Sequence, residues 1–342
     1  MDITTQGLRS MDHGQLVQLI EEQSHSPDPA ILEAARSIRD SVYGRKVYFR
    51  GLIEISNHCK NDCYYCGIRR DNRQVSRYRL TKDQILHCCR LGHSLGFHTF
   101  VLQGGEDPWF TAQRVADLVA SIKEEFPDCA VTLSLGEKEE EEYRAYRDAG
   151  ADRYLLRHET ADDIHYRHLH PREMSPDHRK QCLWTLKRLG FQVGAGVMIG
   201  SPGQTANELA QDLLFLKELH PHMVGIGPFI PHEDTPFRDK SAGSIPQTIL
   251  MLALTRILLP HVLLPATTAL GSLDPMGREK GMDAGANVVM PNLSPTDVRQ
   301  LYTLYNGKLS TGEEAAEGLK ALKQRIRAAG YEPDLSRGDY KV

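Results

Sequence analysis

The stretch "EISNHCKNDCYYCGIRRDN" (54–72) follows the apolar run "VYFRGLIEIS" (47–56) and carries three of the chain's seven cysteines, Cys59, Cys63 and Cys66. Their spacing is C-x3-C-x2-C. Three thiolates are one short of a closed structural zinc site, which normally takes four protein ligands. His58 could supply the fourth, and that reading stays open. The sharper reading is a 4Fe-4S cluster with cysteines on three irons and the fourth iron left for a small molecule. Either reading places the loop at the end of a strand, so the fold turns on what that strand belongs to.

Outward from it, apolar β-rich runs alternate with stretches of helical period. Strands are expected at 47–56, 98–105, 130–136, 152–159, 191–200, 223–230, 262–270 and 286–292. Between them lie the helix patterns 81–96, 111–126, 175–190 and 205–220, several opening on Ser or Thr and several closing on Gly. Eight βα units predict an α/β fold, a (β/α)8 TIM barrel, whose chemistry sits at the C-terminal ends of the strands. A doubly wound sheet is the alternative. The barrel is expected over 47–305, with a helical N-terminal extension at 1–46 and a C-terminal helix and tail at 306–342 packed outside it.

A net charge of −4 over 342 residues offers no field for nucleic acid, and no long apolar run suggests a membrane span. The N-terminus lacks a leader pattern, so a cytoplasmic location is expected. Clustered cysteines in a chain of this length favour metal chemistry over disulfides. "EKEEEEY" (137–143) reads as the solvated face of a helix. Cys88, Cys89, Cys129 and Cys182 lack ligand spacing and read as buried structural thiols.

"LQGGEDP" (102–108) ends the second strand with Gly104 and Gly105, which allow close backbone approach, and then Glu106. "YLLRHET" (154–160) places Arg157 and Glu159 on one face of a strand, with His158 pointing away. Two inward charges at a barrel strand end are costly unless they pair or meet a ligand. Further polar groups at strand ends are Gln103, Thr132, Ser134 and the pair Thr267 and Thr268 in "PATTALG", followed by Tyr302 and Tyr305. With Arg157 they suit a small anionic substrate, the guanidinium gripping a carboxylate as a fork and the threonines donating to it. Strand propensity alone could also account for Thr267 and Thr268, and a core-facing helix edge for Tyr302 and Tyr305.

C-x3-C-x-aromatic-C after the first barrel strand resembles the signature of the radical S-adenosylmethionine (SAM) enzymes, with Tyr65 as the aromatic residue. The resemblance implies a reducible 4Fe-4S cluster on Cys59, Cys63 and Cys66, and SAM bound at its open iron and cleaved to a 5′-deoxyadenosyl radical. It further implies that Gly104, Gly105 and Glu106 receive the SAM amino group, and the inward charge of Glu159 is assigned to SAM as well. Arg179 becomes the candidate for its carboxylate, and Met198 in "GVMIGSPGQT" lies on the strand beside the adenosyl group. "CYYCGIRRDN", "YLLRHETA", "MVGIGPFIPHEDTP", "LTRILLP", "GANVVMPN" and "RQLYTLY" narrow the resemblance to the maturases that build the di-iron cofactor of FeFe-hydrogenase. That family implies an iron-bound cysteine attacked at sulfur, transient contact with other hydrogenase maturases, and an electron donor such as ferredoxin or flavodoxin. Some members carry a second, C-terminal cluster; "KLSTGEEAAEGLKALKQRIRAAGY" has no cysteine, so one cluster is expected. The rivals are a lysine mutase of the methylornithine synthase kind, biotin synthase with its additional cluster, and a non-catalytic zinc or cluster carrier.

Overall fold

The computed structural model describes residues 5–310, 312 and 316–342. Residues 1–4 of the expected N-terminal extension, and 311 and 313–315 of the expected C-terminal segment, lie outside the described residues. The strands are β1 (Lys46–Phe49), β2 (Gly51–Ser56), β3 (Thr99–Gly104), β4 (Ala130–Ser134), β5 (Arg153–Leu155), β6 (Gln192–Ile199), β7 (Met223–Pro228), β8 (Val288–Val289) and β9 (Glu332–Asp334). β2 to β7 form a six-stranded sheet in sequential order, and every pairing is parallel.

The sheet closes through shorter contacts. Leu263 bridges Met223, Pro265 bridges Val288, β8 pairs with β1, and Asn292 bridges Leu52, where β1 has become β2 across Arg50. The ring is therefore a barrel whose seventh stave is reduced to single bridges. The strand expected at 262–270 ends early because Pro265 has no N–H to donate. Thr267 is instead an N-cap and Thr268 begins the helix Thr268–Leu273. The stave expected at 152–159 is likewise a ladder only over β5, and reaches β6 again at a Glu159–Val197 bridge.

Outside the barrel the expected helices form as Lys82–Ser94, Ala112–Glu125, Pro176–Arg188 and Ala206–Leu219, with Thr81, Thr111, Ser175 and Thr205 accepting first-turn N–H bonds. Ile245–Leu258 is apolar almost all round because it is covered on both sides, packing on β7 and under Pro29–Tyr43 of the N-terminal segment. No helix among the described residues is long and apolar enough to cross a membrane.

The helix Leu319–Ala328 leads into β9, which adds to β1. The tail after β9 then crosses the N-terminal end of the barrel. Thr99 and Arg153 donate to the Arg337 carbonyl, Arg50 to that of Gly338, and Asp339 pairs with Arg153 at 2.6 Å. The last residues thus form the barrel floor rather than an external packing, and the open end is the one that carries the cysteines.

Candidate active site

The cysteine loop is held by its own arginine. Arg77 donates to the carbonyls of Asn57, Ile68, Arg69 and Asn72, while Asn57 ties Ser76 and Leu301 to the same turn. All three cysteines are partly buried and unbridged. Burial, reinforced by the neighbouring thiols, pushes Cys63 far up and Cys66 up to about 12, and burial also raises Cys59. Three bare thiolates do not fit such a place; thiolates bound to metal do. The three sulfurs, with or without His58, do not gather within 4.8 Å of one another; among the described residues the set that does is His93, His98 and Asp128, at the floor end. A closed zinc site on the loop is therefore not what the geometry favours.

The turn after β3 lies directly on this loop. A Cβ at Gly105 would stand 2.2 Å from the His58 carbonyl oxygen and 2.8 Å from Cys59 Cβ, so the second glycine is fixed by backbone contact with the cysteines. Lys60 N–H donates to the Glu106 carbonyl at 2.9 Å. Asp107 turns away to bind Ser56 and Arg79, which anchors the turn.

Glu106 points into a group of charges that sequence reading missed. Its side chain fills the space over Gly136, where φ is +78°, and accepts from Glu137 N–H at 2.9 Å. Glu137 is not on a solvated helix face: the helix begins at Glu140, and the Glu137 carboxylate lies 2.6 Å from Arg179 Nε. That contact is short yet poorly aligned, and Arg179 Nε, Glu137 Oε1 and Glu106 Oε2 are all buried without a well-formed hydrogen bond. Burial, together with Glu106, raises Glu137 above the usual carboxylate range despite Arg179. Burial opposes the charge on Arg179, but Tyr166, Glu137 and Glu106 hold it well above the usual arginine value.

Arg157 and Glu159 meet at 3.2 Å, while His158 turns outward to Asp212 at 3.5 Å, as strand alternation requires. Glu159 takes φ +66°, a left-handed conformation that costs on the order of 1–3 kcal/mol in a side-chain-bearing residue. Arg157 donates to the Val197 carbonyl at 2.7 Å and lies along Gly196 and Gly225; a Cβ at Gly196 would collide with it, at 2.9 Å from Cγ, and one at Gly225 would touch it. Thr267 Oγ1 occupies the same wall, 2.9 Å from where a Gly227 Cβ would be. Arg157 Nε, Glu159 Oε2, Thr132 Oγ1 and Thr267 Oγ1 are buried with no hydrogen-bond partner.

Tyr65 and Met198 share an apolar cluster with Tyr64, Leu169, Phe229 and Phe237. His170 Nδ1 donates to the Tyr166 carbonyl at 2.8 Å, leaving Nε2 to accept from the Tyr65 hydroxyl at 3.1 Å. Burial, with Arg179 adding to it, lowers His170 to about 3, so the ring is neutral and fixes Tyr65.

Of the remaining residues, Ser134 stands in register with Gln103 on β3, and Gln103 reaches toward the Tyr302 hydroxyl at 3.4 Å. Thr268 opens its helix beside Thr267. Tyr305 lines an open cleft of about 340 Å³ with Gln74 and His232. Glu54 and Lys308, which the sequence reading passed over, form a buried pair at 2.5 Å inside the barrel. Asn292 donates to Glu54 at 2.8 Å, and the Lys308 ammonium sits 4.9 Å from the centre of the Tyr302 ring. The available signal was an acidic residue inside an apolar strand; its partner, 254 residues away, left none.

Comparison with known proteins follows this geometry. Residues 53–216 match the family model of the Radical SAM superfamily. The FeFe hydrogenase maturase subunit HydE of Thermotoga maritima is 47% identical over 312 residues, which span 91% of this chain and 89% of that protein. The 3-methylornithine synthase of Methanosarcina barkeri is 31% identical over 311 residues, covering 89% of this chain and 85% of the other. Among solved structures, methylornithine synthase (PylB) superposes with a TM-score of 0.78 at 28% identity, over 98% of this chain and 94% of that one.

Proposed function

We propose that this chain, which belongs to the radical SAM superfamily and within it to the family of the FeFe hydrogenase maturase HydE, acts in building the di-iron cofactor of that hydrogenase. Its substrate in this reading is a small anionic, sulfur-containing molecule, an iron-bound cysteine.

One 4Fe-4S cluster, on Cys59, Cys63 and Cys66, with SAM bound, supplies a 5′-deoxyadenosyl radical by reductive cleavage. Gly104, Gly105, Glu106 and Glu159 offer backbone and carboxylate acceptors to the SAM amino group, and Arg179 a cation to its carboxylate. Tyr65 and Met198 supply the apolar wall next to them. Arg157, Thr132, Thr267 and Thr268 hold the substrate carboxylate, with Gln103, Ser134 and Tyr302 around it. The fixed wall sets how near the substrate's sulfur can come to the reacting carbon. Tyr305, which lines an open cleft, belongs to the same proposed substrate set. Residues 47–305 form the catalytic body, with 1–46 and 306–342 packed on it. The partners in this reading are other maturases, met transiently, and a ferredoxin or flavodoxin; nucleic acid and membrane have no place in it.

One observation carries the choice of substrate. Arg157 Nε and Thr267 Oγ1, both buried and without partners, lie on one glycine wall and ask for an acceptor. Lysine carries a carboxylate as well, so a lysine mutase needs in addition a carboxylate on the substrate side for the side-chain ammonium; Glu54, in register with Gln103, is already paired with Lys308. The test is complementation: this chain restores hydrogenase activity to a strain lacking its HydE-type maturase, and the Arg157→Ala variant does not. Failure of the unaltered chain to rescue, with methylornithine formed from lysine, would establish the mutase reading.

A further inference from the structure

At the floor end of the barrel, three elements meet that the radical chemistry does not use. His93 lies in the last turn of the helix Lys82–Ser94, His98 immediately precedes β3, and Asp128 sits in the turn before β4. One ring nitrogen from each histidine and one carboxylate oxygen all fall within 4.8 Å of one another. His98 Nε2 and Asp128 Oδ2 are 3.6 Å apart, too far for a good hydrogen bond. Metal–ligand bonds of about 2.0–2.1 Å place neighbouring ligands of a tetrahedral ion roughly 3.3 Å apart, so little movement separates this pair from such an edge.

The tautomer is already set. His98 Nδ1 is 2.9 Å from the Gly96 carbonyl and 3.2 Å from that of Leu335, and a carbonyl can only accept, so Nδ1 carries the proton. The Nε2 lone pair is thereby directed at the Asp128 side. Backbone carbonyls fix metal-binding histidines in this way. His93 packs against Phe126, with ring centroids 4.9 Å apart, which limits its swing. Arg337, whose Nη1 donates to the Asp128 carbonyl at 3.4 Å, has its charge engaged by Asp152 at 3.0 Å and Asp339 at 2.8 Å.

We propose that His93, His98 and Asp128 bind a divalent transition metal of the zinc class, with water in the fourth position. Two imidazoles and a carboxylate suit that class over calcium or magnesium. The site stands independently of the reaction proposed above. Its consequence is mechanical. A metal on Nε2 withdraws electron density from the ring and strengthens the Nδ1–H donation, which is shared between the Gly96 carbonyl at 2.9 Å and the Leu335 carbonyl at 3.2 Å; Leu335 leads into the tail closing the barrel floor. Zinc binding therefore tightens that tail.

The experiment uses cluster-reconstituted protein, so that the cysteines are occupied by iron. Equilibrium dialysis against zinc is expected to load one zinc per chain, with affinity falling by more than about tenfold in His93→Ala. His93 is exposed, so this variant leaves the core intact. Hydrogen exchange in 335–339 is expected to slow when zinc is added to the unaltered protein and to be unmoved in His93→Ala. Zinc uptake that survives His93→Ala, absence of uptake by the unaltered protein, or tail exchange indifferent to zinc overturns the proposal.

Discussion

At the floor of the barrel Arg153 meets Asp339 at 2.6 Å and Arg337 meets Asp152 at 3.0 Å, so most buried charge there is matched by residues of the chain itself. At the mouth the count runs the other way: Glu106, Glu137, Arg157, Glu159 and Arg179 crowd together while an atom of each stays buried without a formed hydrogen bond. Both ends lie at the ends of the same parallel strands, so sheet geometry does not explain the difference. A barrel tolerates unsatisfied buried groups where a ligand completes them, and elsewhere matches most of them internally. At the floor end the exceptions include Arg50, with Nε unpartnered and the rest of its guanidinium on Met223 Sδ and the Gly338 carbonyl, and the ring and amide nitrogens His261 Nδ1 and Asn287 Nδ2.

The largest expected effect is at the mouth. Cys59→Ala, Cys63→Ala or Cys66→Ala each abolishes cluster assembly and SAM cleavage, whereas Cys182→Ala keeps both, as iron counting after anaerobic reconstitution will show. Next, Glu159→Ala weakens SAM binding about 10–100-fold, the equivalent of one charge-assisted hydrogen bond, in a direct binding titration.

At the floor, Asp339→Ala leaves SAM binding unchanged and lowers folding stability by about 1–2 kcal/mol, a modest figure because the carboxylate is partly exposed. Burial opposes the Asp339 charge, but Arg337 and Arg153 outweigh it and hold the group at about 2. Since its folded value is the lower one, the stabilisation is complete above the unfolded value of roughly 3.9 and is lost as pH falls toward about 2. Asp339→Asn should flatten the stability profile in that window. The smallest effect is Thr267→Val, which leaves SAM cleavage in buffer intact and raises the substrate KM by about fivefold, the worth of one neutral hydrogen bond. Equal SAM defects in Glu159→Ala and Thr267→Val would mean that the cofactor and substrate ends are not separate.

Local signals were readable from the chain, and distant ones were not. The cysteine spacing, the paired glycines and the two-residue alternation of Arg157 and Glu159 each depend on neighbours in sequence, and the structure places them around one opening. Glu137 was misread because an acidic run looks the same whether its first member caps a helix entry or turns inward to Arg179; only the fold of the turn at Gly136 decides. Lys308 and Asp339 find their partners 254 and 186 residues away, and a period of two or 3.6 carries no such information. Thr267 and Thr268 have β propensity, but Pro265 ends the strand before them and their helix starts there. Eight staves were legible as a count, while the weakness of the seventh was not.

In the function proposed above, Arg157 Nε and Thr267 Oγ1 hold a carboxylate so that a substrate sulfur faces the adenosyl carbon. Reduced, cluster-loaded protein incubated with SAM and a small thioether amino acid bearing a free carboxylate tests it most directly, with products read by mass spectrometry. The expected product is an adenosyl thioether in which the 5′ carbon–sulfur bond has formed as one carbon–sulfur bond of the added thioether broke, the displaced carbon radical being quenched by the reductant present; it is lost in Arg157→Ala and absent with lysine. Methylornithine formed from lysine, with no sulfur adduct from any thioether, would contradict it.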